Sequence, residues 1–307
     1  MSDVQEKEAA PQEEAPKKKS HVVLTVTAFI VVIAAALVGG YYLSQELVPE
    51  PKVGIISLNT QVTGALAEAM AREINYARNA DDIKGVVMVI NSPGGSASAG
   101  HDIYYQVRKL RENKPVVASM DTLAASAAYQ IGVAANEIYA KPASIIGNIG
   151  VIMGQPQPET LSERFLTTGP FKSTGGSATS YLQKLDMLHA DFRDSVIAER
   201  SQAPNPLTLE PDQVATGEIW IGIEAMEYGI IDELGSVLDA IDRTAELAGL
   251  ENYEVVDVRE AYLASLEDAE LTAALDLYEE VKNQPEFNMG TDTTKWPAFY
   301  QIYVPLE

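Results

Sequence analysis

A serine becomes a nucleophile only when a neighbouring group takes its proton, and Ser126 is the hydroxyl of this chain whose surroundings invite that chemistry. It stands in the run Ala124-Ala-Ser-Ala-Ala-Tyr129, at the expected start of an apolar helix. Unpaired N–H groups and the positive end of the helix dipole favour developing negative charge there. Upstream lies Asn91-Ser-Pro-Gly-Gly95, a turn whose glycines carry no side chain to block the close approach of ligand backbone. A nucleophile beside a pocket of bare amides is the arrangement of acyl transfer. Neither signal is specific alone: without the glycine turn, Ser126 reads as a small residue that lets a helix pack closely among alanines.

The proton acceptor is less plainly marked. The chain has 3 histidines, His21, His101 and His189, without HExxH or paired spacing. His101 and His189 fall on polar helix faces where a solvated role is the ordinary one, so a Ser-His-Asp arrangement finds no convincing histidine. A lysine serves instead where desolvation disfavours its ammonium form. Lys172 lies between Pro170-Phe171 and Ser173-Thr174-Gly175-Gly176 with no acid in the flanking loop, although an exposed loop lysine fits that sequence equally well. Lys141, beside Pro142, is the competing base, and Lys184, near Asp186, reads as solvated.

These residues must be positioned by strands and helices in alternation. Val53 to Leu58 reads as a first strand, Thr60 to Asn79 as a helix with Leu66, Met70 and Ile74 at helical spacing, and Ile83 to Ile90 as a buried strand that delivers the chain to the glycine turn. Helix Ala99 to Asn113, strand Pro115 to Met120 and helix Ala124 to Ala135 follow. A strand at Glu137 to Ala140, a turn into a buried strand over Ser144 to Met153, and a polar helix Pro158 to Leu166 come next. The pattern then predicts a long helix Ser180 to Gln202, a strand, helix and strand over Glu218 to Gly235, and a helix Val237 to Ala248. Such alternation predicts an α/β domain with a largely parallel sheet. Past a strand at Tyr253 to Val258 come a helix Glu260 to Lys282 and a tail holding Trp296, Phe299, Tyr300 and Tyr303. So aromatic a tail is expected to dock on its own domain or on a neighbour.

Composition narrows the function classes. A formal net charge of −22 argues against nucleic acid as a partner, and the absence of cysteine excludes a thiolate metal site, a disulfide or a cysteine nucleophile. No metal or cofactor is expected. Residues 1–20 are too poor in apolar side chains to order themselves, and the segment at 21–43 is uncharged over Val22 to Leu43, close to the roughly 20 residues a membrane-crossing helix needs. Its length and its Gly-Gly-Tyr-Tyr end favour a retained anchor over a cleaved signal peptide. Lys17, Lys18 and Lys19 before it place the amino terminus in the cytoplasm and everything beyond on the far side of the cell membrane. The expected organisation is an arm (1–20), a single transmembrane helix (21–43), a linker (44–52), a catalytic domain (53–250) and a helical extension with an aromatic tail (251–307).

Taken in order, Asn91 to Gly95, Ala124 to Tyr129, Gly147-Asn-Ile-Gly-Val-Ile152, Phe171-Lys-Ser173, Gly217-Glu-Ile-Trp-Ile-Gly222 and Gly229-Ile-Ile-Asp-Glu-Leu-Gly235 resemble the motifs of signal peptide peptidase A. The resemblance implies the Clp/crotonase fold of repeated ββα units behind an N-terminal transmembrane helix, and a metal-free Ser/Lys endopeptidase acting on cleaved signal peptides and other apolar peptides. It implies Ser126 as nucleophile, Lys172 as general base, and the amides of Gly95 and Ala127 as the oxyanion hole. It further implies a homo-oligomer in which serine and lysine meet across a subunit boundary. One departure stands out: the family's Ser-Gly-Gly-Tyr is Ser126-Ala-Ala-Tyr129 here. The added methyl at Ala127 keeps the N–H but is expected to narrow substrate approach. Two rival readings share the fold, an inactive membrane-anchored oligomeric scaffold and a crotonase-type acyl-CoA enzyme. The second lacks a basic site for the CoA phosphates.

Overall fold

The computed structural model describes residues 20–47, 50–154, 168–283 and 301–302, and the chain divides into two units at Pro49 and Glu50. The first unit holds helix α1, Ser20–Leu47. Its residues Val23–Tyr42 have a mean hydropathy of 2.5 and are exposed, enough length and apolarity to cross a bilayer. Of the expected arm (1–20), all but Ser20 lies outside the described residues, as do the expected helix Pro158 to Leu166 and the tail's Trp296, Phe299, Tyr300 and Tyr303; Ser20 begins α1.

The second unit is an α/β domain. Its sheet is built on four parallel strands, in spatial order β9 (Glu254–Asp257), β1 (Lys52–Leu58), β2 (Ile83–Ser92) and β4 (Val116–Ala125). Both faces are covered, which is why these strands read as nearly continuous apolar runs. Val86, Met88 and Ile90 of β2 face the core formed with α2 (Gly64–Asn79) and α3 (Ala97–Arg111), while Val87 faces the opposite side with Val53, Val117 and the Ala240, Ile241 and Ala245 of α8 (Val237–Leu247). Strand periodicity thus assigns alternate residues to two separate cores.

β4 is where the sheet divides. Its first half pairs with β5 (Glu137–Ala140), which in turn pairs with β8 (Glu233–Leu234), and its second half pairs with β6 (Ile145–Gly147), whose antiparallel neighbour is β7 (Ile219–Ile221). The register against β2 shifts between Ile90 and Ser92, whose partners are Met120 and Ala124, so β4 bends over Asp121 to Leu123 and turns its last residues toward the glycine segment. Sequence periodicity misses this: Ala124 and Ala125 belong to the strand, and the helix expected from Ala124 is the shorter α4, Ala127–Gly132. Alanine favours helix intrinsically, but pairing of Ala124 and Ala125 with Ile146 and Gly147 overrides that preference.

Other departures are small. The long helix α5 runs over Ala178–Arg200, α6 is Pro211–Val214, and α7 is Gly222–Glu227, between β7 and β8 as expected. The helix expected over Glu260 to Lys282 is broken into α9 (Val258–Ala264) and α10 (Asp268–Asn283). Both pack on α2, where Ala274, Leu277 and Tyr278 cover Ala69. Beneath them Glu73 is 1% exposed and accepts from Arg259 Nε at 2.8 Å and from the Tyr278 hydroxyl at 2.9 Å.

Candidate active site

Ser126 is the single residue between β4 and α4, so the whole change of direction falls on its backbone. Its φ of 57° and ψ of −125° lie in a region that side-chain-bearing residues seldom occupy, at a cost on the order of 1–3 kcal/mol. Its surroundings hold it there. The Ser126 N–H donates to Gly147 O at 2.8 Å, and its carbonyl accepts from Gln130 N at 3.0 Å. The side chain is fully buried, and its Oγ has no hydrogen-bond partner among the described residues.

The glycine turn lies against this elbow, because its short strand β3, Gly94–Gly95, packs on both α3 and α4. Gly94, at φ 93°, takes a backbone conformation open chiefly to glycine, and its N–H donates to the buried Ser92 Oγ at 3.2 Å. Gly95 is fixed by crowding: a Cβ there would run into the Val62 carbonyl oxygen. Val62 cannot withdraw easily, since its N–H donates to Gly94 O at 2.8 Å and its carbonyl accepts from Ser96 N at 2.8 Å. The fold therefore brings Gly95, Ser126 and Ala127 into one neighbourhood.

Ala127, where the resemblance calls for glycine, is fully buried, and its methyl points at α3: a Cβ added to Gly100 would sit 3.0 Å from Ala127 Cβ. Gly100 makes room for the Ala127 methyl. The narrowing of substrate approach expected from the sequence therefore does not follow, because this methyl is spent in helix packing. Tyr129 anchors the same helix from below. It is buried, its hydroxyl donates to Ile230 O at 2.8 Å, and burial pushes its phenol well above the ordinary value. Next to Ile230, Asp232 and Arg200 form a buried two-pronged ion pair at 2.8 and 2.9 Å, with Asp232 also accepting from the backbone of Ile138 and Asn205.

The lysines divide differently from their sequence contexts. Lys172 is exposed, with the half-exposed Phe171 beside it, and Ser126 Oγ, lacking a partner, is not joined to it within the chain. Its loop is nonetheless shaped. Gly175 N donates to Phe171 O at 2.7 Å, and the Tyr181 hydroxyl donates to Thr174 O at 2.6 Å. Lys184 is half-buried rather than solvated, reaching back to Gly175 O at 3.3 Å and lying 4.8 Å from the centre of the Tyr181 ring. Lys141 is held by Asp121 in an ion pair.

Both helix histidines also depart from the solvated reading. His189 Nε2 lies 2.6 Å from Ala215 O, and His101 bridges Ala97 O at 2.8 Å and Asp191 Oδ2 at 2.6 Å. His101 also stands 3.4 Å from the Nε2 of Gln130, a fully buried residue one turn beyond Ser126 whose Oε1 has no partner among the described residues. Sequence reasoning passed over Gln130 and Asp191, since the contact between α3 and α5 spans 90 residues and leaves no local pattern.

A strand-to-helix elbow carrying a buried serine, set against a glycine turn on a split parallel sheet, defines an α/β fold of the Clp type, and the Clp protease profile matches residues 47–156. The profile of peptidase family S49 matches residues 108–251. A Synechocystis sp. protein to which protease activity is ascribed is 31% identical over 208 residues, covering 62% of this chain and 74% of its own. Serine protease SPPA, chloroplastic, of Arabidopsis thaliana is 29% identical, covering 60% of this chain and 29% of its own length. Protease 4 of Haemophilus influenzae is 30% identical, covering 63% and 33%. The chain belongs to peptidase family S49. It spans between 29% and 60% of the length of several curated relatives it matches.

Proposed function

We propose that this protein is a membrane-anchored serine endopeptidase in which Ser126 of one copy works with Lys172 of a neighbouring copy. The observation that carries the reading is the Ser126 elbow: a strained backbone holding a buried hydroxyl, unpartnered among the described residues, against the Gly94–Gly95 turn. Such a hydroxyl awaits a partner that the described residues of its own chain do not supply, while the exposed Lys172 loop is placed to supply one elsewhere. In the forward step neutral Lys172 takes the Ser126 proton as Oγ attacks the scissile carbonyl, and the N–H groups of Gly95 and Ala127 stabilise the oxyanion. Collapse expels the amine with the proton returned by Lys172. Water, activated by the same lysine, then releases the acyl group from Ser126. Lys141 is a poorer candidate, because its amine is tied to the Asp121 carboxylate and not to a serine.

Cleaved signal peptides and other apolar segments are the proposed substrates. An α1 anchor with its amino terminus in the cytoplasm puts residues 53–250 on the extracytoplasmic side, close to where such peptides reside. The Ala127 methyl, packed toward Gly100, supports an active enzyme over an inactive scaffold.

The test is cleavage of a detergent-solubilised signal-peptide-like substrate by wild type, Ser126→Ala, Lys172→Ala and a co-assembled mixture of the variants. Each variant alone should lose activity by on the order of 10³-fold or more, and the mixture should recover a fraction through sites that pair intact partners. Activity surviving in Lys172→Ala would sink the dyad and move attention to Lys141. An assembled wild type that never cuts would return the scaffold reading.

A further inference from the structure

One ring nitrogen of His101 faces two partners that cannot share it. Its Nδ1 lies 2.8 Å from Ala97 O, and a carbonyl only accepts, so Nδ1 carries a proton. Its Nε2 lies 2.6 Å from Asp191 Oδ2, which accepts, and 3.4 Å from Gln130 Nε2, which donates. With a proton on Nε2, His101 is an imidazolium joined to Asp191 of α5, and the Gln130 amide meets a donor. Without that proton, Nε2 is an acceptor that suits Gln130 of α4 and repels the carboxylate. Gln130 is fully buried, so its amide has no water to turn to, and its Oε1 already lacks a partner among the described residues. Around His101, Tyr104, Tyr105 and Arg108 of α3 and Asp191, Asp194 and Glu199 of α5 line a surface cleft of about 380 Å³, through which the proton reaches solvent. α4 carries no charged side chain, and its phenol, Tyr129, is bonded to Ile230 O.

We propose that His101 is a positioning residue for the Ser126 elbow: without its Nε2 proton it accepts from Gln130 and fastens α4, and with that proton it leaves α4 for Asp191. The link to the nucleophile is short, since Gln130 N donates to Ser126 O at 3.0 Å and so closes the first turn after the serine. A strained backbone depends on every bond that over-determines it, and this one comes and goes with a proton. Imidazole is the side chain that ordinarily changes charge near neutral pH. The fastened state is the one without the proton, and a lysine base also works only without its proton, so both groups favour turnover in the same direction of pH. The proposal rests on the peptidase reading for its effect on turnover, and the exchange of partners is measurable without it.

Three variants of the full chain test this. Gln130→Met keeps the length of the side chain and removes the amide, His101→Phe keeps a ring without its nitrogens at a partly exposed position, and Asp191→Asn removes the competing carboxylate. Relative to wild type, kcat of Gln130→Met and His101→Phe should be about three- to tenfold lower at mildly alkaline pH with KM little changed, and the ratio should shrink toward one on acidification. Taking the ratio cancels the limb that belongs to the lysine. Asp191→Asn should keep wild-type kcat at alkaline pH and hold it further into the acid range. Amide hydrogen exchange over residues 126–133, corrected for its intrinsic pH dependence, reads the fastening without catalysis. Protection there should fall on acidification in wild type and stay level in Gln130→Met and His101→Phe. A kcat ratio constant across pH, with the same exchange profile in all proteins, is the mark of packing alone and overturns the proposal. The expected exchange pattern in proteins that cleave nothing, wild type included, leaves the exchange of partners standing and removes the peptidase reading instead.

Discussion

The two halves of the proposed dyad sit in opposite kinds of structure. Ser126 is clamped: its strand is paired on both sides, its helix is anchored by Tyr129, and its neighbour Gly95 cannot accept a methyl without striking Val62. Lys172 lies on an exposed loop whose few internal bonds fix its shape without burying it. A nucleophile that must hold an unfavourable backbone needs rigid surroundings, because strain persists only where neighbours over-determine the conformation. A base that is to work in another copy must stay at the surface until that copy arrives. On the proposed reading, burial belongs to the part of the site that one chain completes and exposure to the part that it lends.

The comparison breaks most directly at Gly95. Gly95→Ala forces a methyl against a carbonyl that two hydrogen bonds hold still, so peptide cleavage should fall by about 10²-fold or more as the amide is displaced, whereas any small substitution at exposed Phe171 should leave stability within about 0.5 kcal/mol. Kinetic assay beside thermal unfolding reads both, and a fully active Gly95→Ala enzyme would mean that the oxyanion lies elsewhere. Next in size, Asp232→Ala leaves Arg200 buried without its counter-charge beneath the Tyr129 anchor. Denaturant unfolding should report a loss of about 3–5 kcal/mol. A loss under about 1 kcal/mol would show that the clamped half does not depend on that pair.

The smallest effect concerns Glu73, under the carboxyl-terminal helices. Its Oε2 is buried without a partner among the described residues while Arg259 remains partly solvated, and burial raises its pKa above the ordinary carboxylate value despite the nearby guanidinium. Between those two values the folded chain keeps a proton that the unfolded chain has released. Stability should therefore fall as pH rises through that window, with the loss complete above the raised value. Glu73→Gln should flatten this slope in unfolding curves taken across the mildly acidic range. An identical slope in both proteins would assign the dependence to other groups.

Much of the candidate site was legible as residue types. A glycine pair after an apolar strand and a serine among alanines announced themselves because a bare amide and a small nucleophile each need particular local chemistry. A base was legible only as several candidate lysines, since loop composition does not distinguish a free amine from one held by a carboxylate. Lys141 was separated from Lys172 by Asp121, twenty residues away in sequence. His101 was misread as solvated for the same reason, because Asp191 comes from another helix.

By itself the sequence determined the alternation of strands and helices, the apolar amino-terminal helix and the candidacy of Ser126, because each depends on local periodicity or local composition. Tertiary structure alone decided that β4 runs through Ala125, that the Ala127 methyl is absorbed by Gly100, and that His101 lies between Gln130 and Asp191. Those outcomes turn on pairings between residues far apart in the chain, where a ladder of hydrogen bonds or a close packing contact outweighs the weak preference of any single residue.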